Sequence, residues 1–370
     1  MLFQIHKIFG VVSALYIIIM SLSGVALVFH DDLSDFLCAT PKVVVQEAKA
    51  TLSQIIENTE QFFPNHKVTG LIFSPDAERA IDVFASKEEG KFIQCLADPY
   101  TGKILGLKQT NAVLQFLRDL HFNLLTGSTG RTANGVGASC LLLLAVTGVA
   151  VSLQRYSKAL FTMLKNTFRP EKLIARNLHI TVGICALPFL IFQSIGGVYF
   201  GFPAVFQRCL NCIAPVSALK GAKELPANAE KLESKEHINN SAKSQIDQIV
   251  LKAKSCSAKP AFVERIAFPN KKSSAVQIWL RDSSSHDASA PKTKVFLSPT
   301  TGEVLALSTP ESTPAGDTII QWLLDFHFGK LFGILSKCAW LVIGLTPAVL
   351  AVTGLQMLIN KSNAKRKKKK

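Results

Sequence analysis

The sequence predicts a membrane α-helical bundle of four transmembrane helices, built as a two-fold internal repeat, with two α+β domains outside the bilayer. Four apolar blocks, at about residues 8–29, 136–153, 178–200 and 331–359, each approach or exceed the ~20 residues that cross ~30 Å of hydrocarbon. The stretches between them have the mixed composition of soluble protein, and the same residues recur in the same order in both halves. Overall composition agrees. With 48% hydrophobic residues, 18% charged residues and a net charge of +15 over 370 residues, the chain is too apolar for a disordered tail and too basic for an ordinary cytosolic enzyme.

The first span falls within residues 1–34. Its apolar block is longer than a signal-peptide core, lacks a small-x-small cleavage site and runs into Val28-Phe29-His30-Asp31, so it is expected to be retained. The second and fourth spans, each led by an interfacial segment, fall in 116–155 and 321–360, and the third in 178–203. Basic residues orient the bundle. Arg155, Lys158, Lys165, Arg169, Lys172 and Arg176 stand in and beside the 156–177 loop against the single acid Glu171, and the 361–370 tail reads KSNAKRKKKK. Both belong on the cytoplasmic side, with the two chain ends. No folded basic module with stacking aromatics accompanies the tail, so its expected contact is anionic lipid and not nucleic acid.

Residues 35–115 and 204–320 then lie on the outer side, and each gives the pattern of one helix over a small antiparallel sheet. In the first, a helical stretch at 52–63 precedes strand-like runs at 67–73, 80–86 and 91–97, the turn Asp98-Pro99-Tyr100-Thr101-Gly102 and a strand at 103–107. The second repeats the order with a helix at 244–254, strands at 261–268, 275–281 and 294–297, the turn Ser298-Pro299-Thr300-Thr301-Gly302 and a strand at 303–307.

The membrane blocks repeat with sharper spacing. His6 stands four residues before Gly10 and eighteen before Gly24; His179 stands four before Gly183 and eighteen before Gly197. His121 precedes Gly148 by 27 residues, and His327 precedes Gly354 by 27. Each unit returns the chain to the cytoplasm, so the copies share one topology and their axis is expected along the membrane normal, where equivalent side chains face each other.

A histidine in or beside a span is costly and is usually functional, although one near the headgroups is often only an interfacial polar group. Four in register across a duplication point to metal ligation. Two neutral imidazoles approaching a flat ring from opposite faces are what a six-coordinate b-type haem needs, and the axis offers that geometry twice, for two b-type haems. Gly10 and Gly183 remove a side chain one turn along the ligand's face, leaving room for porphyrin, or serve close helix packing. Zinc is the rival metal, yet a closed zinc site needs four N or S ligands. Helix length places His121 and His327 on segments preceding their spans, with Gly127 and Gly130, and Gly329 and Gly333, as the breaks. Arg131 and Lys337 both fall ten residues after these histidines, where a cation meets haem propionates or snorkels to lipid phosphate. Asp119 and Asp325 read as caps or outside cation contacts. His30 has Pro203 at its counterpart and is only a reserve ligand.

Among the remaining polar groups, the Ser283–Asp287 stretch around His286 offers hydrolase residue types without a nucleophile elbow and reads as a loop. Cys140, Cys185 and Cys338 fall in spans as packing residues. Of the outward cysteines, Cys38 with Cys95 and Cys209 with Cys212 are conceivable disulfides, Cys256 is left over, and Cys209-Leu210-Asn211-Cys212 lacks the setting of a redox motif.

Histidine-led helices, the Ser-Leu-Ser-Gly, Ser-Ile-Gly-Gly and two Ala-Val-Thr-Gly helix ends, and outer segments closing in DPYTGKILG and SPTTGEVLAL together resemble the PepSY-associated transmembrane family, which includes bacterial iron-regulated membrane proteins and di-haem ferrisiderophore reductases. The resemblance covers nearly the whole chain. It departs at Ser23 and Gly196, where the family commonly has Thr before Gly. It implies two periplasmic PepSY-like domains, a bacterial inner (cytoplasmic) membrane location, and electrons carried outward to ferric siderophore or another periplasmic acceptor by haems on His6, His121, His179 and His327. No Gly-rich nucleotide fingerprint is present, so a flavoprotein, reduced flavin or quinol must supply the electrons. Two other classes remain open: a non-enzymatic protein that binds or regulates a periplasmic peptidase or acts as a sensor, and a transporter subunit.

Overall fold

The computed structural model describes residues 1–38, 41–87, 92–156, 174–216, 242–270, 273–284, 292–330 and 333–367. Most of the basic 156–177 loop, His237, His286 and the last three lysines lie outside them. The chain divides into two units, one of helices (Met1–Ser34, Asn111–Ile213 and Ile319–Lys370) and one built on a sheet (Asp35–Thr110 and Ala214–Thr318).

In the helical unit, α1 (Leu2–Leu27) contacts α5 (Gly127–Tyr156) and α12 (Thr346–Lys367). Among the described residues three helices are long and apolar enough to cross a membrane: Leu2–Leu27, Gly127–Gln154 and Ile334–Ala364, the last formed by α11 (Gly333–Gly344) running into α12. The third apolar block is not one straight helix. It forms α6 (Ile174–Cys185) and α7 (Leu187–Gly201), bent by 68° and passing the same test only together. The sequence supplies the reason at Pro188, which has no N–H to continue the α6 ladder and sits where a helix begins. α5 and α7 approach closely through small residues: a methyl on Gly197 would lie 2.7 Å from Ala138 Cβ, and Gly201 meets Gly135.

Short helices carry the chain into and out of these spans: α2 (His30–Leu37), α4 (Ala112–Asn123), α8 (Pro203–Asn211) and α10 (Ala315–His327). Asn111 caps α4 by accepting from the backbone N–H groups of Val113 and Leu114 at 2.9 and 3.3 Å. A left-handed Leu124 ends it, and Gly127, φ 64°, starts α5. His121 and His327 are thus near the ends of separate helices ahead of the spans. Gly329, φ 66°, marks the second break.

The sheet unit corrects one expectation. Residues 35–115 and 204–320 do not make two separate domains; their strands join one eight-stranded antiparallel sheet of order β4-β3-β2-β1-β5-β6-β7-β8. β1 (Lys67–Ile72), β2 (Ile81–Ser86), β3 (Phe92–Ala97) and β4 (Ile104–Leu107) form one meander, and β5 (Ala261–Ala267), β6 (Val276–Asp282), β7 (Thr293–Leu297) and β8 (Val304–Ser308) the other. The seam pairs Gly70 with Ala267, Leu71 with Ile266 and Ile72 with Arg265. Two meanders each leave an open edge at their first strand, and pairing those edges satisfies both rows of backbone groups. Gly70 permits the approach, since a Cβ there would lie 2.9 Å from the Ile266 carbonyl oxygen.

α3 (Leu52–Phe62) and α9 (Ile246–Ser255) pack against the sheet, where Ile55, Ile56, Ile246 and Ile249 meet Leu71, Val83, Ile266, Ile278 and Leu297 in one core. Asp247 of α9 caps α3, accepting from the N–H groups of Leu52 and Ser53 at 2.8 and 3.2 Å. Glu60 of α3 accepts from the Val68 N–H at 2.9 Å and pairs with Lys243, which is only 8% exposed. Burial pushes the Glu60 carboxyl up, but Lys243, Val68 and Lys67 more than offset it and hold it below its ordinary value. A carboxyl depressed in this way favours folding above its unfolded pKa and loses that contribution as pH falls through its folded one. Glu60→Gln is expected to cost about 3 kcal/mol at neutral pH, because Lys243 is left buried without its partner, and less in acid. Hydrogen exchange of the β1 amides measures this; equal protection at both pH values contradicts it.

The conceivable disulfides are also corrected, since all eight cysteines are free. Cys95 is fully buried in the sheet core, and burial pushes its thiol up to about 11. Cys209 and Cys212 sit at the end of one helix, where the Cys212 thiol donates to the Arg208 carbonyl at 3.4 Å.

Candidate cofactor site

His6 on α1 and His179 on α6 come together, with ring centroids 6.3 Å apart and planes at 84°. Each ring is held by a hydroxyl from another helix. His6 Nδ1 lies 3.0 Å from Thr147 Oγ1 of α5, and His179 Nδ1 lies 3.0 Å from Thr353 Oγ1 of α12. The hydroxyl protons are already committed, since Thr147 donates to the Leu143 carbonyl and Thr353 to the Val349 carbonyl, both at 2.7 Å. Each threonine oxygen therefore accepts, each Nδ1 donates, and each Nε2 keeps its lone pair.

The glycine after each threonine makes the approach possible. A Cβ on Gly148 would stand 3.1 Å from His6 Cε1, and one on Gly354 3.3 Å from His179 Cε1. Gly10 and Gly183 face Leu144 and Leu350, where a Cβ would make ordinary contacts at 3.8 and 3.6 Å. His6 and His179 thus each meet a Thr-Gly step, on α5 and α12, and His121 and His327 meet α1 and α7. His121 Nδ1 donates to Ser23 Oγ at 3.0 Å while Ser23 donates to the Ile19 carbonyl at 2.6 Å, and a Cβ on Gly24 would lie 2.9 Å from His121 Cε1. His327 packs on Gly196, where a Cβ would lie 2.6 Å from its Nδ1.

His121 and His327 line one cavity of about 370 Å³ within the helical unit. Phe122, Phe189, Phe200, Phe328 and Trp340 supply its apolar wall, and Arg118, Arg131, Lys330 and Lys337 its cations. Arg131 and Lys337 stand at matched spacings from their histidines, and Arg118 and Lys330 at unmatched ones. Lys337 pairs with Asp32, and Lys330 Nζ lies 4.0 Å from Asp31. Partial desolvation raises the Asp31 carboxyl, but the hydrogen bond from His30 and the charges of Lys330 and Lys337 more than offset it. His30 lines the same cavity, its Nδ1 3.1 Å from Asp31 Oδ1. Six buried side-chain polar atoms have no hydrogen-bond partner among the described residues, and four of them belong to cavity residues: Asn134 Oδ1, Gln193 Oε1, His327 Nδ1 and Trp340 Nε1.

The family model for the PepSY-associated TM region matches residues 3–361. The chain belongs to this family. A search of the curated proteins found no match. Membership makes this PepSY-associated protein a membrane protein, in keeping with its long apolar helices and its large antiparallel sheet. Among the described residues no group of three or more His, Cys, Asp or Glu side chains could hold a metal ion.

Proposed function

We propose that this PepSY-associated protein is a di-haem b electron-transfer protein of the bacterial inner membrane. It passes electrons outward to a periplasmic acceptor, with ferric siderophore the acceptor favoured by its resemblance to the iron-regulated membrane proteins. In this reading the chain is a duplicated unit, the bent pair α6 and α7 serves as a fourth span, both termini are cytoplasmic, and the sheet unit is periplasmic. A cytoplasmic flavoprotein, reduced flavin or quinol supplies the electrons.

The observation that carries the reading is the His6–His179 pair. His6 and His179, with ring centroids 6.3 Å apart, would hold one haem iron between their imidazoles. Thr147 and Thr353 fix the tautomer that leaves Nε2 free, as partners of ligating imidazoles commonly do. For the second pair, support comes from an aromatic cavity with imidazoles, cations and orphaned polar atoms on its wall. Arg131 and Lys337 would meet the propionates, and Gly10 and Gly183 would leave room beside the ligands. Bound haem would supply one-electron chemistry; the chain holds the ligand rings, keeps Nδ1 protonated and excludes water with Phe and Trp side chains.

The full-length protein, purified after expression with ample haem, is expected to show a Soret band and the sharp α and β bands of reduced low-spin haem. A colourless preparation would refute the reading and favour a peptidase-binding, sensing or transport role.

A further inference from the structure

Three of the four histidines donate to a hydroxyl and the fourth does not. Thr147, Thr353 and Ser23 occupy the same place relative to His6, His179 and His121, each one residue before the glycine on the receiving helix. At the corresponding position facing His327 stands Gly196, and the ring has moved in against its backbone. Among the described residues His327 Nδ1 is buried with no hydrogen-bond partner of ordinary geometry, and the group that lies beside it is the Gln193 backbone, not a hydroxyl. The difference is built into the sequence, since 2.6 Å from a Gly196 Cβ to Nδ1 leaves no space for serine or threonine.

An acceptor on Nδ1–H makes an imidazole a more basic ligand, which favours the oxidised iron and lowers its potential; removing the acceptor does the reverse. We infer that Thr147, Thr353 and Ser23 are positioning residues that set unequal potentials, and that the missing hydroxyl at Gly196 makes the His121–His327 haem the easier one to reduce. The inference rests on the di-haem reading and gives it a direction. An electron leaves the iron between His6 and His179, oxidising it from Fe(II) to Fe(III), and reduces the iron between His121 and His327 from Fe(III) to Fe(II), with no proton required.

The test is a spectroelectrochemical titration of the full-length protein and its variants. Wild type is expected to titrate in two waves. The double variant Thr147→Val, Thr353→Val should raise the lower wave, and Ser23→Ala the higher, each by up to tenfold in the Fe(III)/Fe(II) equilibrium, about 59 mV for a one-electron couple. Thr147→Ser keeps the hydroxyl and should keep the wild-type wave. Should the valine variant lose its haem, Ser23→Ala carries the same comparison at the other site. Haem-loaded variants whose potentials stay put, or fall, overturn the inference and leave the di-haem reading standing. Wild-type protein that binds no haem overturns both.

Discussion

Replacing His6 or His179 by alanine is expected to abolish low-spin character at one of the two sites and leave the other unchanged. Half of the bound haem should be lost or turn five-coordinate and high-spin, since a single imidazole leaves one axial position open. His121→Ala and His327→Ala should act on the other half. The expectation is specific because His6 meets Thr147 and His179 meets Thr353, whereas His121 meets Ser23 and His327 meets Gly196. No ring shares its anchoring residue with another. Pyridine haemochrome analysis gives the haem-to-protein ratio and the visible spectrum gives the spin state. Unchanged spectra in both His6→Ala and His179→Ala would refute the pairing.

The parts of the fold set by local pattern were legible in the sequence. Helix α3, helix α9 and all eight strands fall within a residue or two of the runs read from alternation and turn residues, because the burial of β2, alternating buried and half-buried, is the physical origin of that pattern. The four histidines stood out because each repeats at fixed distance from a glycine. What spacing did not reveal is the partner. His6 and Gly24 lie on the same helix, separated by eighteen residues and so by about 27 Å of rise, too far to touch. The glycine against His6 is Gly148, brought there by the packing of α5 on α1. The Thr-Gly and Ser-Gly steps were read as markers of a repeat, although a hydroxyl followed by glycine is also what a buried imidazole requires: an acceptor for Nδ1–H and an open backbone beside the ring.

The merging of the two outer segments was likewise beyond local pattern. Each meander is complete by its own alternation, and nothing within β1 or β5 marks its free edge as paired or open. Gly70 is the one sequence feature at the seam, and a glycine inside a strand has several readings, of which close backbone approach is one. The bend between α6 and α7 was missed although Pro188 stands at it, because hydropathy averages across such a break and returns one span.

Glycines provide the sharpest separation between holding a ligand and accommodating a cofactor. Gly148→Val and Gly354→Val are expected to eliminate the haem at the His6–His179 pair. Their branched side chains would enter space where a Cβ alone stands 3.1 or 3.3 Å from an imidazole carbon, and the ring must leave the threonine that orients it. Gly10→Ala and Gly183→Ala act differently. The protein itself has room for the added methyl, at 3.8 Å from Leu144 and 3.6 Å from Leu350, so these variants should fold and keep their histidines in place. A loss of haem in Gly10→Ala or Gly183→Ala, with the helical content of wild type by circular dichroism, is the expected result and would identify porphyrin as the group that meets the methyl. Full haem binding in both alanine variants would mean the macrocycle lies away from these positions, and would assign Gly10 and Gly183 to helix packing alone. The valine variants at Gly148 and Gly354 would still report on the ligands. One set of substitutions therefore tests the axial ligation, the other the plane of the ring, and neither result depends on which acceptor receives the electrons.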